Sequence, residues 1–217
     1  MTERQGPHPG VNVRAVVFDF GGVIAEEGFR AGLHVIADRF GLAPDTFYQA
    51  ANEAVYGTGY VTGTGSEAAF WQQLRARFGI IAPDPVLRFE ILSRFVPRTW
   101  MLAMVRLIRK RGIITALLSD QSDWLDLLDG KYHFFREFDH VFNSYHLGKT
   151  KRDVSLFDDT VHVLNVPAPQ ALFIDDNPGH VKRAAARGLQ THLFTSASCF
   201  QAALARLGVL CANKVDR

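Results

Sequence analysis

Short runs of apolar residues alternate with longer stretches in which apolar residues recur every three or four positions. The runs Ala15–Phe18, Ile113–Leu118, Val141–Phe142 with its flanks, and Ala171–Ile174 are almost wholly apolar, and a fifth lies around Gln190–Phe194. Runs of this length, apolar on both faces, are the pattern of strands buried in a parallel sheet. Helical spacing marks Thr99–Lys110, Ser122–Leu128, Val154–Leu164, Pro178–Arg187 and Ser196–Leu207. Strand and helix in alternation predict an α/β fold, a Rossmann-like doubly wound parallel sheet with right-handed crossovers.

The stretch between Phe18 and Ile113 breaks that rhythm. It carries no strand signal, is too long for a crossover and is too patterned for a loop. Phe29–Phe40 places Leu33, Ile36, Ala37 and Phe40 on one stripe. Pro44 opens a second helix containing Phe47, Ala51 and Val55. Ser66 is an N-cap for Glu67–Phe78, whose Phe70, Trp71, Leu74 and Phe78 form an apolar face, and Pro85–Phe95 reads as a fourth helix. Gly57–Gly65, rich in glycine and threonine, reads as a flexible loop. The expected organisation is a polar, mobile tail over 1–12, an α/β core over 13–25 and 98–217, and an inserted helical cap domain over 26–97. The insertion leaves the sheet at the C-terminal end of the first strand, where it would cover the crevice.

Composition adds mainly exclusions. Of 217 residues, 47% are hydrophobic and 21% charged, which is ordinary for a globular chain able to bury a core. A formal net charge of +2 makes no case for nucleic acid or an anionic membrane as a partner. The densest basic cluster, Arg106, Arg109, Lys110 and Arg111, reads as a solvated helix face. The two cysteines, Cys199 and Cys211, have neither zinc-site spacing nor the number for a disulfide scaffold. No segment is apolar and long enough to span a bilayer, and Met1–Asn12 has no signal-peptide core. The expected location is the cytoplasm. Nothing in the pattern indicates an oligomeric state.

The chemistry sits at the ends of the strand runs. Asp19 closes the first run and is followed by Phe20-Gly21-Gly22-Val23. A carboxylate there lies where open α/β sheets bind ligands, and the glycines permit a sharp turn beside it. Ser119 follows the second run, Lys151 follows the third, and Asp175-Asp176 follow the fourth. Parallel strand ends converge, so a nucleophilic carboxylate, a hydroxyl, an ammonium and an acidic pair can share one site. These are the ingredients of metal-assisted phosphoryl transfer.

Four motifs in this order, with a helical insertion after the first, resemble the haloacid dehalogenase superfamily from Arg14 to about Phe194. The glycine at position 21 resembles the branch close to the sugar-phosphate phosphatases. The resemblance implies that Asp19 attacks phosphorus to form an aspartyl-phosphate. It implies a Mg2+ ion held by Asp19, the carbonyl of Gly21, and Asp175 or Asp176, all oxygen donors as a hard cation prefers. Ser119 and Lys151 would act with Asp19 in catalysis. The phosphoryl group would lie against Ser119, Asp120, Lys151 and the backbone of Phe20, Gly21 and Gly22. The expected substrate is a small soluble phosphomonoester, a sugar phosphate among the candidates.

Two positions depart from the family pattern in ways that bear on function. Phosphatases of this family usually carry an aspartate two residues after the nucleophile, to protonate the leaving alkoxide and then activate water. Here that position is Gly21. A cap residue, a water or the substrate could act instead, with His34 and Glu26 or Glu27 the candidate side chains. The family's usual proline after the motif lysine is Arg152, read as a change in loop stiffness alone. An acid at Asp120, where the family often has asparagine, would weaken phosphate affinity or shift substrate choice. A 2-haloacid dehalogenase also works without the second acid, although such enzymes usually carry a bulky aromatic at position 21 and need no metal. A catalytically impaired binding protein on the same scaffold is the third reading.

Overall fold

The computed structural model describes residues 13–209, so the expected tail over 1–12 and Cys211 lie outside the described residues. Five strands form one parallel sheet: β1 (Ala15–Phe18), β2 (Ile114–Ser119), β3 (His140–Asn143), β4 (Ala171–Asp175) and β5 (Gln190–Leu193). Their spatial order is β3-β2-β1-β4-β5, with β1 at the centre. The doubly wound α/β fold expected from the pattern is present.

Strand alternation divides the core into two layers. Val16 and Phe18 of β1 join one cluster with Met101, Val105 and Ile108 of α5 (Thr99–Lys110), Leu125 and Leu128 of α6 (Trp124–Tyr132), and Phe200 and Leu204 of α10 (Ala197–Arg206). Ala15 and Val17 point the other way. They join Leu156 and Phe157 of α8 (Ser155–Leu164) and Ala184 of α9 (Pro178–Ala186). Both faces are thus covered, as an all-parallel sheet requires.

Between β1 and α5 lie α1 (Gly28–Arg39), α2 (Pro44–Gly57), α3 (Glu67–Phe78) and α4 (Asp84–Leu92). Their buried residues, among them Leu33, Phe47, Phe70, Trp71 and Ile91, are continuous with the first of the two sheet layers. The seam is aromatic: Trp124 of α6 lies 5.7 Å from Tyr60, 6.1 Å from Phe70 and 6.2 Å from Trp71 between ring centroids.

Three local expectations change. The fourth inserted helix ends at Leu92 rather than Phe95, because Phe95 is drawn out of helical register to pack on Phe20, 5.5 Å between centroids. The Gly57–Gly65 segment is a packed clasp, with a 3-10 turn over Tyr60–Thr62 whose Tyr60 and Val61 are buried. Gly63 serves close approach, since a Cβ there would sit 2.4 Å from the carbonyl oxygen of Tyr145. The basic cluster on α5 is also more than a solvated face, since Arg106 pairs with Glu137 and Arg109 with Asp139. A one-turn helix, α7 (Ser144–Leu147), follows β3, capped by Asn143 and ended by Gly148 at φ 68°. Among the described residues no helix is long and apolar enough to cross a membrane.

Candidate active site

The chain leaves β1 toward β2 on one side, while β4 flanks β1 on the other, so the sheet's switch point lies at their C-terminal ends. That is where open α/β sheets bind ligands. Phe18 pairs with Ile174, and the Asp19 N–H donates to the Ile174 carbonyl at 2.8 Å, which sets Asp19 beside Asp175. Ser119 closes β2 next to β1 and is buried. One carboxylate oxygen from each of Asp19, Asp175 and Asp176 lies within 4.8 Å of the others.

Lys151 reaches into this cluster from the loop after α7. Its side chain is 1% exposed, and its Nζ donates to Asp19 Oδ1 at 2.6 Å and to Asp175 Oδ2 at 2.8 Å. Its loop is fixed from behind by Arg183, whose Nε donates to the Lys151 carbonyl at 2.7 Å. The two buried aspartates respond differently to the one lysine. Asp175 is held down to about 2: burial opposes ionisation, but Lys151 and His180 outweigh it. The Asn177 N–H adds a further donor at 2.7 Å to Asp175 Oδ1. Burial pushes Asp19 well above the usual carboxylate range; Lys151 pulls it down, and the charges of Asp175 and Asp176 add to the rise. Desolvation, then the charge of Asp175, raises Asp176 too.

Three acids thus share one ammonium, leaving an excess of negative charge on oxygen donors alone. The donor set fits a hard divalent cation such as Mg2+. Lys151 holds a single oxygen of Asp19, so the same carboxylate can offer its other oxygen.

The turn after Asp19 is shaped by contacts. Gly22 has φ 78°, and a Cβ there would lie 2.1 Å from Asp176 Oδ2. Arg98 braces the turn, its Nη1 donating to the Gly22 carbonyl at 2.5 Å while it pairs with Glu26. At Gly21 a Cβ would meet Phe95 Cε1 at 3.3 Å, so an aromatic wall stands where the family's second acid usually projects.

These residues face a cavity of about 630 Å³. Asp19, Gly21, Ser119, Asp120, Lys151 and Asp176 are among its walls, whereas Phe20, Gly22 and Asp175 lie behind them. The inserted helices supply the opposite wall with Glu27, Arg30, Tyr48, Asn52 and Tyr56. Asp120 is committed on both oxygens: Oδ1 accepts the Lys151 N–H at 2.8 Å and Oδ2 accepts the Tyr56 hydroxyl at 3.0 Å. It ties the lysine loop to α2. Arg152 does more than alter stiffness, since its guanidinium lies 3.3 Å over the Tyr56 ring at the cavity wall.

Some of this was not readable beforehand. His180 lies in the first turn of α9, and its Nδ1 lies 3.1 Å from Asp175 Oδ2. Asn177 caps α9, its side chain accepting the Gly179 N–H. Tyr56, Arg98 and Phe95 come from the insertion or its end, where one sequence offers only an apolar stripe. Their single advance signal was proximity in the chain to a helix terminus.

Residues 13–188 match the family model described as haloacid dehalogenase-like hydrolase. Among curated proteins none matches the chain significantly. A predicted HAD-like family hydrolase from Porphyromonas gingivalis has a similar fold, with TM-score 0.71 and 22% identity over 90% of this chain and 97% of the other. A HAD family enzyme from Bacteroides thetaiotaomicron, solved with magnesium and inorganic phosphate, gives TM-score 0.62 and 18% identity over 85% and 96%. L-2-haloacid dehalogenase from Xanthobacter autotrophicus, with chloropropionic acid covalently bound, gives 0.63 and 15% over 91% and 84%. At these identities the likeness is one of fold.

Proposed function

The chain belongs to the haloacid dehalogenase-like hydrolases, and from that premise we propose that it is a magnesium-dependent phosphatase acting on a small phosphomonoester. The observation that carries this reading is the acid excess around Lys151: three carboxylates whose oxygens lie within 4.8 Å, against one ammonium. A 2-haloacid substrate carries one charge and needs no cation, whereas a divalent cation balances the excess of this cluster and gives an incoming phosphate a positive centre to bind.

In this reading Asp19 attacks phosphorus. A carboxylate is a modest nucleophile, but it needs no base to ionise once a cation offsets its neighbours. Lys151 stays protonated, because the surrounding aspartates raise its pKa more than burial lowers it. It neutralises charge on the phosphoryl oxygens and holds Asp19 in place through its 2.6 Å bond. Ser119 donates its hydroxyl to a phosphoryl oxygen, and backbone N–H groups of Phe20, Gly21 and Gly22 complete the cradle. Asp19, the Gly21 carbonyl, and Asp175 or Asp176 would hold magnesium, which when bound would supply charge neutralisation between nucleophile and phosphate. Residues 26–97 act as a cap that selects the substrate, through Arg30, Tyr48, Asn52 and Tyr56. A cavity of about 630 Å³ suits a sugar phosphate or a molecule of similar size.

The second reading, a 2-haloacid dehalogenase, is favoured by one observation: position 21 has no acid and Phe95 fills the space beside it. The two readings separate in one experiment. A panel of phosphomonoesters is assayed with magnesium, and chloride release from 2-chloropropionate is assayed with EDTA. Phosphate release that stops in EDTA is expected. Chloride release that persists in EDTA would reverse the assignment, and tight phosphate binding without turnover of any ester would favour a binding protein.

A further inference from the structure

A phosphatase of the proposed kind needs a proton for its leaving alkoxide and a base for the water that follows. Position 21 supplies neither, and Phe95 Cε1 stands 3.3 Å from where its Cβ would be. Most other titratable groups nearby are already committed. Asp120 has a donor on each oxygen, one of them the Tyr56 hydroxyl. His180 is bonded to Asp175, and Asp176 belongs to the acidic cluster that suits a cation. Glu26 is held by two bonds from Arg98 at 2.9 and 2.8 Å and is no part of the cavity wall. His34 is also off the wall. Burial raises Tyr48 above its ordinary value, out of range for proton exchange near neutrality.

Glu27 remains. It lines the same cavity as Asp19, and it is accessible enough to exchange protons with water. Its position is fixed by packing. As N-cap of α1 it accepts the Arg30 N–H at 2.8 Å (Oε2) and 3.2 Å (Oε1). The following Gly28 lets Phe95 seat directly on the helix, where a Cβ would come within 2.6 Å of the Phe95 ring and backbone. Gly32 does the same for Ile91, at 2.5 Å from its Cα. The aromatic that closes position 21 therefore also presses the first turn of α1, with Glu27, against the cleft. The cleft walls desolvate the Glu27 carboxylate and raise its pKa; backbone N–H groups of Arg30, Ala31 and Phe29 oppose this, and the charge of Asp176 adds to it. The other charged or titratable groups facing it are the Arg30 guanidinium and Tyr48. A raised carboxyl in a cleft suits acid–base exchange.

We propose that Glu27 is the general acid and base of this enzyme, in place of the acid missing at Gly21. The inference rests on the phosphatase reading. As Asp19 bonds to phosphorus and the ester P–O bond breaks, protonated Glu27 gives its proton to the departing alkoxide, releasing the alcohol. The resulting carboxylate then takes a proton from water as that water attacks phosphorus. The bond from phosphorus to Asp19 breaks, inorganic phosphate leaves, and Glu27 is protonated again.

The test is Glu27→Gln, which keeps an oxygen to cap Arg30, assayed with magnesium on p-nitrophenyl phosphate and on glycerol 2-phosphate. Nitrophenolate leaves without a proton, while the alkoxide of glycerol does not. Turnover of glycerol 2-phosphate is expected to fall by about 10²–10⁴-fold. With p-nitrophenyl phosphate the variant gives a burst of one nitrophenolate per protein followed by a slow steady rate, because Asp19 is still phosphorylated but water lacks its base. The alkaline fall in the wild-type pH profile on glycerol 2-phosphate is expected to vanish in the variant. An unchanged melting temperature excludes a folding defect. Undiminished turnover of both esters by Glu27→Gln overturns the Glu27 assignment alone, as does an equal loss on both without a burst. A wild-type protein inactive on all phosphate esters overturns the phosphatase reading and Glu27 with it.

Discussion

Replacing Lys151 by methionine removes the ammonium that bonds both Asp19 and Asp175. The side chain is 1% exposed, and its partners Asp19 and Asp175 are 13% and 0% exposed. Contacts of 2.6 and 2.8 Å correspond to about 6 kcal/mol of gross attraction each at an effective dielectric of about 20. Most of that is offset by the cost of burying the three charges, so the wild-type cluster itself adds little net stability. Its loss is different, because the variant leaves two carboxylates without their cation. Breaking a buried pair in this way costs about 3–5 kcal/mol. With an m-value of about 2–3 kcal/mol/M, the urea midpoint in EDTA falls by about 1–2.5 M. Intrinsic fluorescence can follow the transition, since Trp71 and Trp124 are buried at the seam between the inserted helices and α6. Magnesium should then protect the variant more than the wild type, because the cation takes over the neutralisation. A loss below about 1 kcal/mol in EDTA, or no difference in protection, would refute the charge argument.

Four further outcomes follow from the same geometry. Asp19→Asn should abolish turnover yet raise the melting temperature of the chelated protein: the folded pKa of Asp19 is raised, so its contribution to stability is present at low pH and lost as pH rises. Asp175 has the opposite sign. Its folded value of about 2, below the ordinary 3.8, adds about 2 kcal/mol above the ordinary value, lost as pH falls toward about 2. Asp175→Asn should therefore flatten the acid limb of a melting-temperature profile in EDTA. Gly22→Ala must place a Cβ 2.1 Å from Asp176 Oδ2 at φ 78°, so it should weaken magnesium binding by calorimetry and cost about 1–2 kcal/mol from the left-handed backbone alone. Tyr56→Phe removes the hydroxyl that bonds Asp120 at 3.0 Å. It should cost about 1–3 kcal/mol, and a double-mutant cycle with Asp120→Asn should show coupling between the two.

The sheet and its acidic residues were legible because each depends on a local signal. Ala15–Phe18 and Ala171–Ile174 are apolar throughout, and the aspartates after them stand at strand ends wherever the strands pair. The Asp19–Lys151–Asp175 contact followed from strand convergence. What was hidden depended on packing between distant segments. Asp120 looked like an excess charge until Tyr56 and the Lys151 N–H were seen to occupy its oxygens. The Gly57–Gly65 stretch looked mobile, because what holds it is distant in sequence: the backbone of α7 lies against Gly63, and the Val61 carbonyl accepts from the Ser144 hydroxyl at 2.7 Å. Phe95 belonged by periodicity to the apolar stripe of a helix, and its contacts with Gly21, Gly28 and Phe20 appear only once α1 and α4 are folded against the β1 turn.

The central claim is that Asp19 becomes covalently phosphorylated during magnesium-dependent ester hydrolysis. Rapid acid quench during the first turnover of p-nitrophenyl phosphate, followed by peptide mapping by mass spectrometry, tests it most directly. The account predicts a phosphoryl group on the peptide containing Asp19, absent from Asp19→Asn and from protein kept in EDTA. Steady hydrolysis with no adduct on that peptide, and with Asp19→Asn still turning over, would contradict it.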